Sequence, residues 1–201
     1  MKTEKNLAFI AISGFALISF FVVFLLINPV IHYSEQQISW LSGIHFFKYY
    51  LTYPGGLAEY FTLFISQFFY SELIGSIIIA LFPLLAIILL LKSLYLRLNT
   101  SFLPVLLLPL IQVLILSLMT DYLFNFSVVI NLFIVSLILF CCIYAEAKFK
   151  INLYFTFIPS LFIIYIVSGG VYFLIFAISA ISLLLYKPNR SRLFLIVILA
   201  I

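Results

Sequence analysis

Apolar residues in this chain come in long unbroken blocks, not in the strict alternation of a half-buried strand. Read for length, the blocks predict helices at about 7–27, 73–91, 102–119, 126–144, 153–167 and 171–186. A membrane span needs about 20 predominantly apolar residues. Asn28-Pro29 closes the first block. Pro104 falls in a first turn, where a missing N–H costs nothing, and Pro109 lies deeper and is expected to kink its helix. Asp121 marks a tight turn, and Ser168-Gly169-Gly170 interrupts the run from Leu153 to Tyr186. That interruption reads either as the joint between two short helices or as a bend in one long one. The last run, 193–201, is too short to cross a bilayer core of about 30 Å. The chain is therefore expected to be the N-terminal part of a longer protein.

Composition turns this pattern into a fold class. Of 201 residues, 67% are hydrophobic and only 8% charged, and the mean hydropathy is +1.36. A soluble domain carries about 25% charged residues. So much apolar surface has no interior large enough to hold it, and lipid becomes the expected solvent. Spanning backbone must then be helical or a closed barrel, and continuous apolar runs exclude the barrel. The expectation is an all-α polytopic transmembrane bundle forming one domain over 1–201, with about six helices plus an incomplete seventh. A signal peptide is excluded for 7–27, which is too long and lacks a small-residue cleavage site.

Charge adds orientation. Threading the chain through these helices puts nine of its ten basic residues on one side, and only Lys48 on the other. The nine are Lys2, Lys5, Lys92, Arg97, Lys148, Lys150, Lys187, Arg190 and Arg192. Glu35, Glu59, Glu72 and Asp121 fall opposite them. Basic residues near helix ends mark the cytoplasmic face, so the N-terminus is expected in the cytoplasm of a bacterial cytoplasmic (inner) membrane protein. The net charge of +4 comes from scattered loop residues without interleaved aromatics, which excludes nucleic acid as partner. Cys141 and Cys142 are neighbours in an apolar run and read as small core residues, and nothing calls for a cofactor.

The connection 28–70 is where chemistry is expected. It is too apolar for a solvated loop, and Trp40, Phe46, Phe47, Tyr49, Tyr50 and Tyr53 suit a headgroup boundary. Residues 36–52 and 58–70 read as interfacial helices, with Tyr53-Pro54-Gly55-Gly56 as a turn. The same stretch gathers His32, Glu35, His45, Lys48, Glu59 and Glu72 beside apolar surface, where ionisable groups are functional candidates. Glu35 and Glu59 are the candidate catalytic carboxylates. His32, His45, Tyr53, Gly55 and Gly56 are the candidate substrate-binding positions. The histidine spacing fits no regular ligand pair, so no metal site is assigned.

The string Tyr53-Pro54-Gly55-Gly56-Leu57-Ala58-Glu59-Tyr60, with Gln67-Phe68-Phe69-Tyr70, resembles an uncharacterised bacterial family, domain of unknown function 6057. The Ser168-Gly169-Gly170 turn is similar to one in the same proteins. That resemblance covers most of the chain, brings no activity, and implies a longer protein. A second resemblance is architectural. One helix followed by a long outer loop with an early acid is similar to the GT-C glycosyltransferases, which use lipid-linked sugar donors. It implies transfer of a sugar from a polyprenyl-phosphate donor outside the cytoplasm, with Glu35 as base and Glu59 as a second acid. Ser34 and Gln36 flank Glu35 where that family has paired acids. A non-catalytic anchor or assembly subunit docking a periplasmic protein, and a transporter, are the alternatives.

Overall fold

The computed structural model describes residues 2–36, 40–98, 103–151 and 153–185. Every regular element among them is helical. Helix α1 spans Lys2–Leu26. Asn28 accepts from the Val30 N–H at 3.0 Å and Pro29 occupies the first turn, so α2, Pro29–Glu35, starts in a new direction. The two helices meet at 57°. Then come α3, Ile44–Tyr50, and α4, Gly56–Ser66, which tightens into a 3₁₀ turn at Gln67–Tyr70. The long helices α5, Glu72–Leu98, and α7, Ser127–Phe149, flank the shorter α6, Leu103–Leu118. Helices α8, Leu153–Ser168, and α9, Gly170–Leu185, complete the described chain.

Three helix ends run past the expected boundaries. Helix α1 reaches back to Lys2, α5 continues through Lys92 and Arg97, and α7 continues through Glu146 and Lys148. Hydropathy marks the apolar part of a helix, whereas backbone hydrogen bonding continues into charged residues. Lys150 then stops α7 in a left-handed conformation, φ 54°. The interfacial helix expected over 36–52 is confined to Ile44–Tyr50, with 37–39 outside the described residues. The expected helix at 193–201 also lies outside them.

The break at Gly169 is a hairpin. Phe157 of α8 packs its ring 5.8 Å from Phe176 of α9, and Tyr165 lies 6.1 Å from Phe173. In one continuous helix, residues 157 and 176 would be about 28 Å apart. Two apolar cores result. One joins α1, α5, α6 and α7 around Val23, Ile79, Ile115, Phe126 and Ile130. The other joins α7, α8 and α9 around Leu139, Phe157, Ile164, Phe176 and Ala180. Hydroxyls within the helices are satisfied by carbonyls four residues back, as in Ser76 to Glu72, Ser93 to Leu89 and Ser160 to Thr156. Cys142 is buried 3.1 Å from the Ser160 hydroxyl, whereas Cys141 faces outward and is exposed.

Contacts between helices gather the connections at one end of the bundle. The start of α5 packs beneath the α1–α2 joint, where a side chain at Gly75 would overlap Pro29. Phe69 and Phe126 bring the 3₁₀ turn to the start of α7, with rings 5.1 Å apart. His32 meets Met119 at the end of α6. Gly55 meets Gly169 between α8 and α9. Among the described residues two helices are long and apolar enough to cross a membrane, Glu72–Leu96 and Ser127–Phe149. A third is counted if the bent pair Ile12–Leu26 and Pro29–Glu35 is taken as one.

Candidate functional site

The end that gathers the short helices carries every candidate residue. At its centre, the Tyr53–Gly56 turn is seated on the Gly169 break. The Gly55 N–H donates to the Ile166 carbonyl at 2.9 Å. Gly169 donates to Tyr165 at 3.1 Å, so carbonyls at the end of α8 are closed from inside and outside the helix. Both glycines sit at positive φ, +91° for Gly55 and +86° for Gly169. A Cβ on Gly55 would lie 3.3 Å from the Gly169 backbone. One on Gly56 would run into the Tyr50 carbonyl. These glycines are thus explained by close backbone approach.

The clasp positions the first turn of α4. Glu59 projects from that turn, exposed, and its Oε2 accepts from the Tyr53 hydroxyl at 2.6 Å. Burial, with the Glu59 carboxylate adding to it, pushes the Tyr53 phenol above the ordinary tyrosine range. Tyr50 shifts the same way, again by burial first and Glu59 second. Tyr53 therefore remains a donor through neutral and mildly alkaline pH, and one oxygen of Glu59 is held while the other is left free. Tyr49 and Tyr50 pack 5.9 and 6.1 Å from the Tyr53 ring. Tyr60 packs 5.0 Å from Phe47 and 5.9 Å from both Tyr50 and Trp40. Trp40 also packs 5.2 Å from Phe64. The aromatics expected at a headgroup boundary thus divide: several pack on one another around Tyr60, whereas Tyr49 is left 63% exposed.

His32 occupies a different environment. Its ring is fully buried, and Nε2 lies 2.8 Å from the Met119 carbonyl. A carbonyl only accepts, so Nε2 carries the hydrogen and Nδ1 is an acceptor. The Gln36 side-chain NH₂ lies 3.3 Å from that Nδ1 and donates to the Tyr122 and Phe124 carbonyls at 3.0 and 2.8 Å. Tyr122 packs edge-on to the imidazole at 5.0 Å. The imidazole donates through Nε2, and burial lowers its pKa below the ordinary histidine range. His32 and Gln36 together hold the 119–124 turn, where Asp121 Oδ1 also accepts from Leu123 N–H at 3.0 Å.

The remaining candidates stand apart. Glu35 is exposed at the end of α2, His45 and Lys48 are exposed on α3, and Glu72 is exposed at the start of α5. Among the described residues no three His, Cys, Asp or Glu side chains are placed to hold a metal ion. The structure brings together Tyr53 with Glu59 and Gly55 with Gly169. It adds Gln36, Trp40 and Tyr60, which sequence reasoning passed over as site residues. Gln36 had a legible signal, since it lies four positions after His32 and shares its helix face. The whole chain from residue 3 to 201 matches a family described as being of unknown function (DUF6057). No curated protein matches it. No solved structure matches it either.

Proposed function

We propose, for a chain that belongs to the DUF6057 family, a place in the bacterial cytoplasmic membrane as a multi-pass protein with a cytoplasmic N-terminus. Its clasped outer loop would transfer a sugar from a polyprenyl-linked donor outside the cytoplasm. Support for the topology comes from one coincidence. The connections gathered at one end of the bundle carry Glu35, Glu59, Glu72 and Asp121, whereas Lys92, Arg97, Lys148 and Lys150 belong to the opposite ends of α5 and α7. Six crossings follow if α1 and α5 to α9 each traverse the bilayer. Helices of 16 residues such as α6, α8 and α9 are only about 24 Å long, so the bilayer would be thinned beside them. A cysteine placed at Glu59, in a chain with Cys141 and Cys142 replaced by alanine, should react with a membrane-impermeant maleimide in intact spheroplasts. One at Lys92 should react only after lysis. The reverse pattern would invert the topology.

The observation that carries the activity is the Tyr53–Glu59 hydrogen bond beside the exposed Tyr49 ring. A carboxylate with one oxygen fixed by a phenol presents its second oxygen in a defined direction, as a general base for an acceptor hydroxyl requires. Aromatic faces suit the C–H surface of a sugar ring. Glu59 thus takes the base role that the GT-C likeness implies for Glu35, and Glu35, exposed at the end of α2, is the second acid. In membranes enriched in this protein, transfer from a radiolabelled polyprenyl-linked sugar should fall at least about 100-fold in Glu59→Gln. Tyr53→Phe should reduce it about tenfold by freeing the carboxylate. Wild-type transfer by Glu59→Gln would sink the assignment. An assembly-subunit reading is favoured by one observation: Leu41, Ile44, Tyr49 and Leu51 expose half or more of their surface around α3. A crosslink from Ile44 to a periplasmic protein, with unchanged glycolipids in Glu59→Gln, would select that reading.

A further inference from the structure

Helix α4 is fastened unevenly at its two ends. Beyond its C-terminus the 3₁₀ turn is anchored, because Phe69 is fully buried in the apolar core and packs 5.1 Å from Phe126. Leu63 and Ile65 reach the same core beside that anchor. At the N-terminus one backbone hydrogen bond, from the Gly55 N–H to the Ile166 carbonyl, joins the Tyr53–Gly56 turn to α8. The first two turns of α4 bury only Gly56, Ala58 and Thr62. Hydrophobic stabilisation scales with the apolar area buried, and side chains this small contribute little of it. The latch also covers a polar atom without a partner. Ser168, at the end of α8, is 5% exposed, and its Oγ is closed to water with no hydrogen bond. Ser76, Ser93, Ser160, Ser179 and Ser182 each donate to the carbonyl four residues back, and Ser168 does not. A Cβ on Gly55 would lie 3.3 Å from the Ser168 carbonyl carbon, so the turn rests directly on this residue. A buried hydroxyl left unpaired is costly, and water would satisfy it. Closing the latch thus gains one hydrogen bond and keeps Ser168 dry, two effects of opposite sign.

We infer that α3 and α4 form a lid over the end of the α8–α9 hairpin, hinged at the Phe69 anchor and latched at Gly55, that opens without unfolding the hairpin and lets water reach Ser168 and the Ile166 carbonyl. Helix α3 buries none of its residues, and Phe46, Phe47 and Tyr50 pack their rings on Tyr60, so α3 travels with α4. Tyr53 and Glu59 lie on either side of Gly55 and are joined by their own hydrogen bond, so they leave the hairpin as a pair. The lid therefore sets where that pair stands relative to α8 and α9. This inference rests on the packing around the latch and is independent of the glycosyl-transfer reading.

Amide hydrogen exchange on the full chain in nanodiscs reads the latch directly. In the wild-type protein the Gly55 amide should exchange at least about tenfold faster than the Gly169 amide, which is bonded inside the hairpin to the Tyr165 carbonyl at 3.1 Å. Equal rates would mean that the latch parts only when the hairpin unfolds, and would overturn the proposal. Ser168→Ala removes the unpaired hydroxyl and should slow exchange at Gly55 at least about fivefold. Ser182→Ala, which removes a satisfied hydroxyl from the exposed face of α9, should leave that rate within about twofold. Unchanged or faster exchange at Gly55 in Ser168→Ala would also overturn the proposal. The wild-type comparison needs no variant to fold.

Discussion

Gly55→Val is expected to detach the Tyr53–Gly56 turn from the helix hairpin and to lower stability by about 3 kcal/mol or more. Gly55 sits at φ +91°, and the site of its Cβ lies 3.3 Å from the backbone of Ser168 and Gly169. An L-residue in the left-handed region loses about 1–2 kcal/mol, and a β-branched one fits worse. The added methyl groups must also displace backbone, not a flexible side-chain tip. The Gly55–Ile166 hydrogen bond would be lost with the contact. In detergent, the variant should melt at markedly lower temperature and be cut by protease between residues 51 and 56. Gly170→Ala is the contrasting case one residue beyond the break. A Cβ there meets nothing within 4 Å, and its φ is not positive. Its stability should be unchanged or improved by about 0.5–1 kcal/mol. A Gly55→Val protein as stable and protease-resistant as wild type would show that the clasp does not hold the loop.

His32→Leu is expected to cost about 2–4 kcal/mol. The substitution keeps apolar volume but leaves the Met119 carbonyl without its donor. The edge-on contact with Tyr122 is lost as well. Because the ring donates through Nε2 to the Met119 carbonyl, its ¹⁵N shifts should report the Nε2–H tautomer, with burial holding its pKa below the ordinary histidine range. Glu35→Gln, three residues later on the same short helix but exposed, should change stability by no more than about 0.5 kcal/mol. An Nδ1–H tautomer of His32, or equal losses from the two variants, would contradict the geometry described for the α2 cap.

The apolar blocks made the helices legible, because lipid-like composition requires internal backbone hydrogen bonding whatever the partner helix is. Their ends were less legible. Lys92 and Arg97 read as loop residues yet lie in α5, since long basic side chains can follow a helix out of an apolar layer with their charge in water. The candidate site divided for a comparable reason. Residue type shows that His32 and Glu59 are both ionisable. Whether each is buried and paired, or exposed and available, depends on Met119, Gln36 and Tyr53, and Met119 comes from a distant stretch of the chain. The Gly55 and Gly169 strings stood out separately in the sequence. Their meeting is a tertiary fact that neither string carries.

That meeting also sets an order on synthesis. The two glycines, Gly55 and Gly169, are about 114 positions apart, and at about 5–20 residues per second the second emerges roughly 6–23 seconds after the first. Throughout that interval Gly55 has no Ile166 carbonyl to bond and α4 has no seat. The connection between α2 and α5 is thus a late-closing element, exposed to proteases and to chaperones until α8 and α9 arrive. A ribosome stalled before residue 166 should display it open, and one stalled well beyond residue 185 should display it closed.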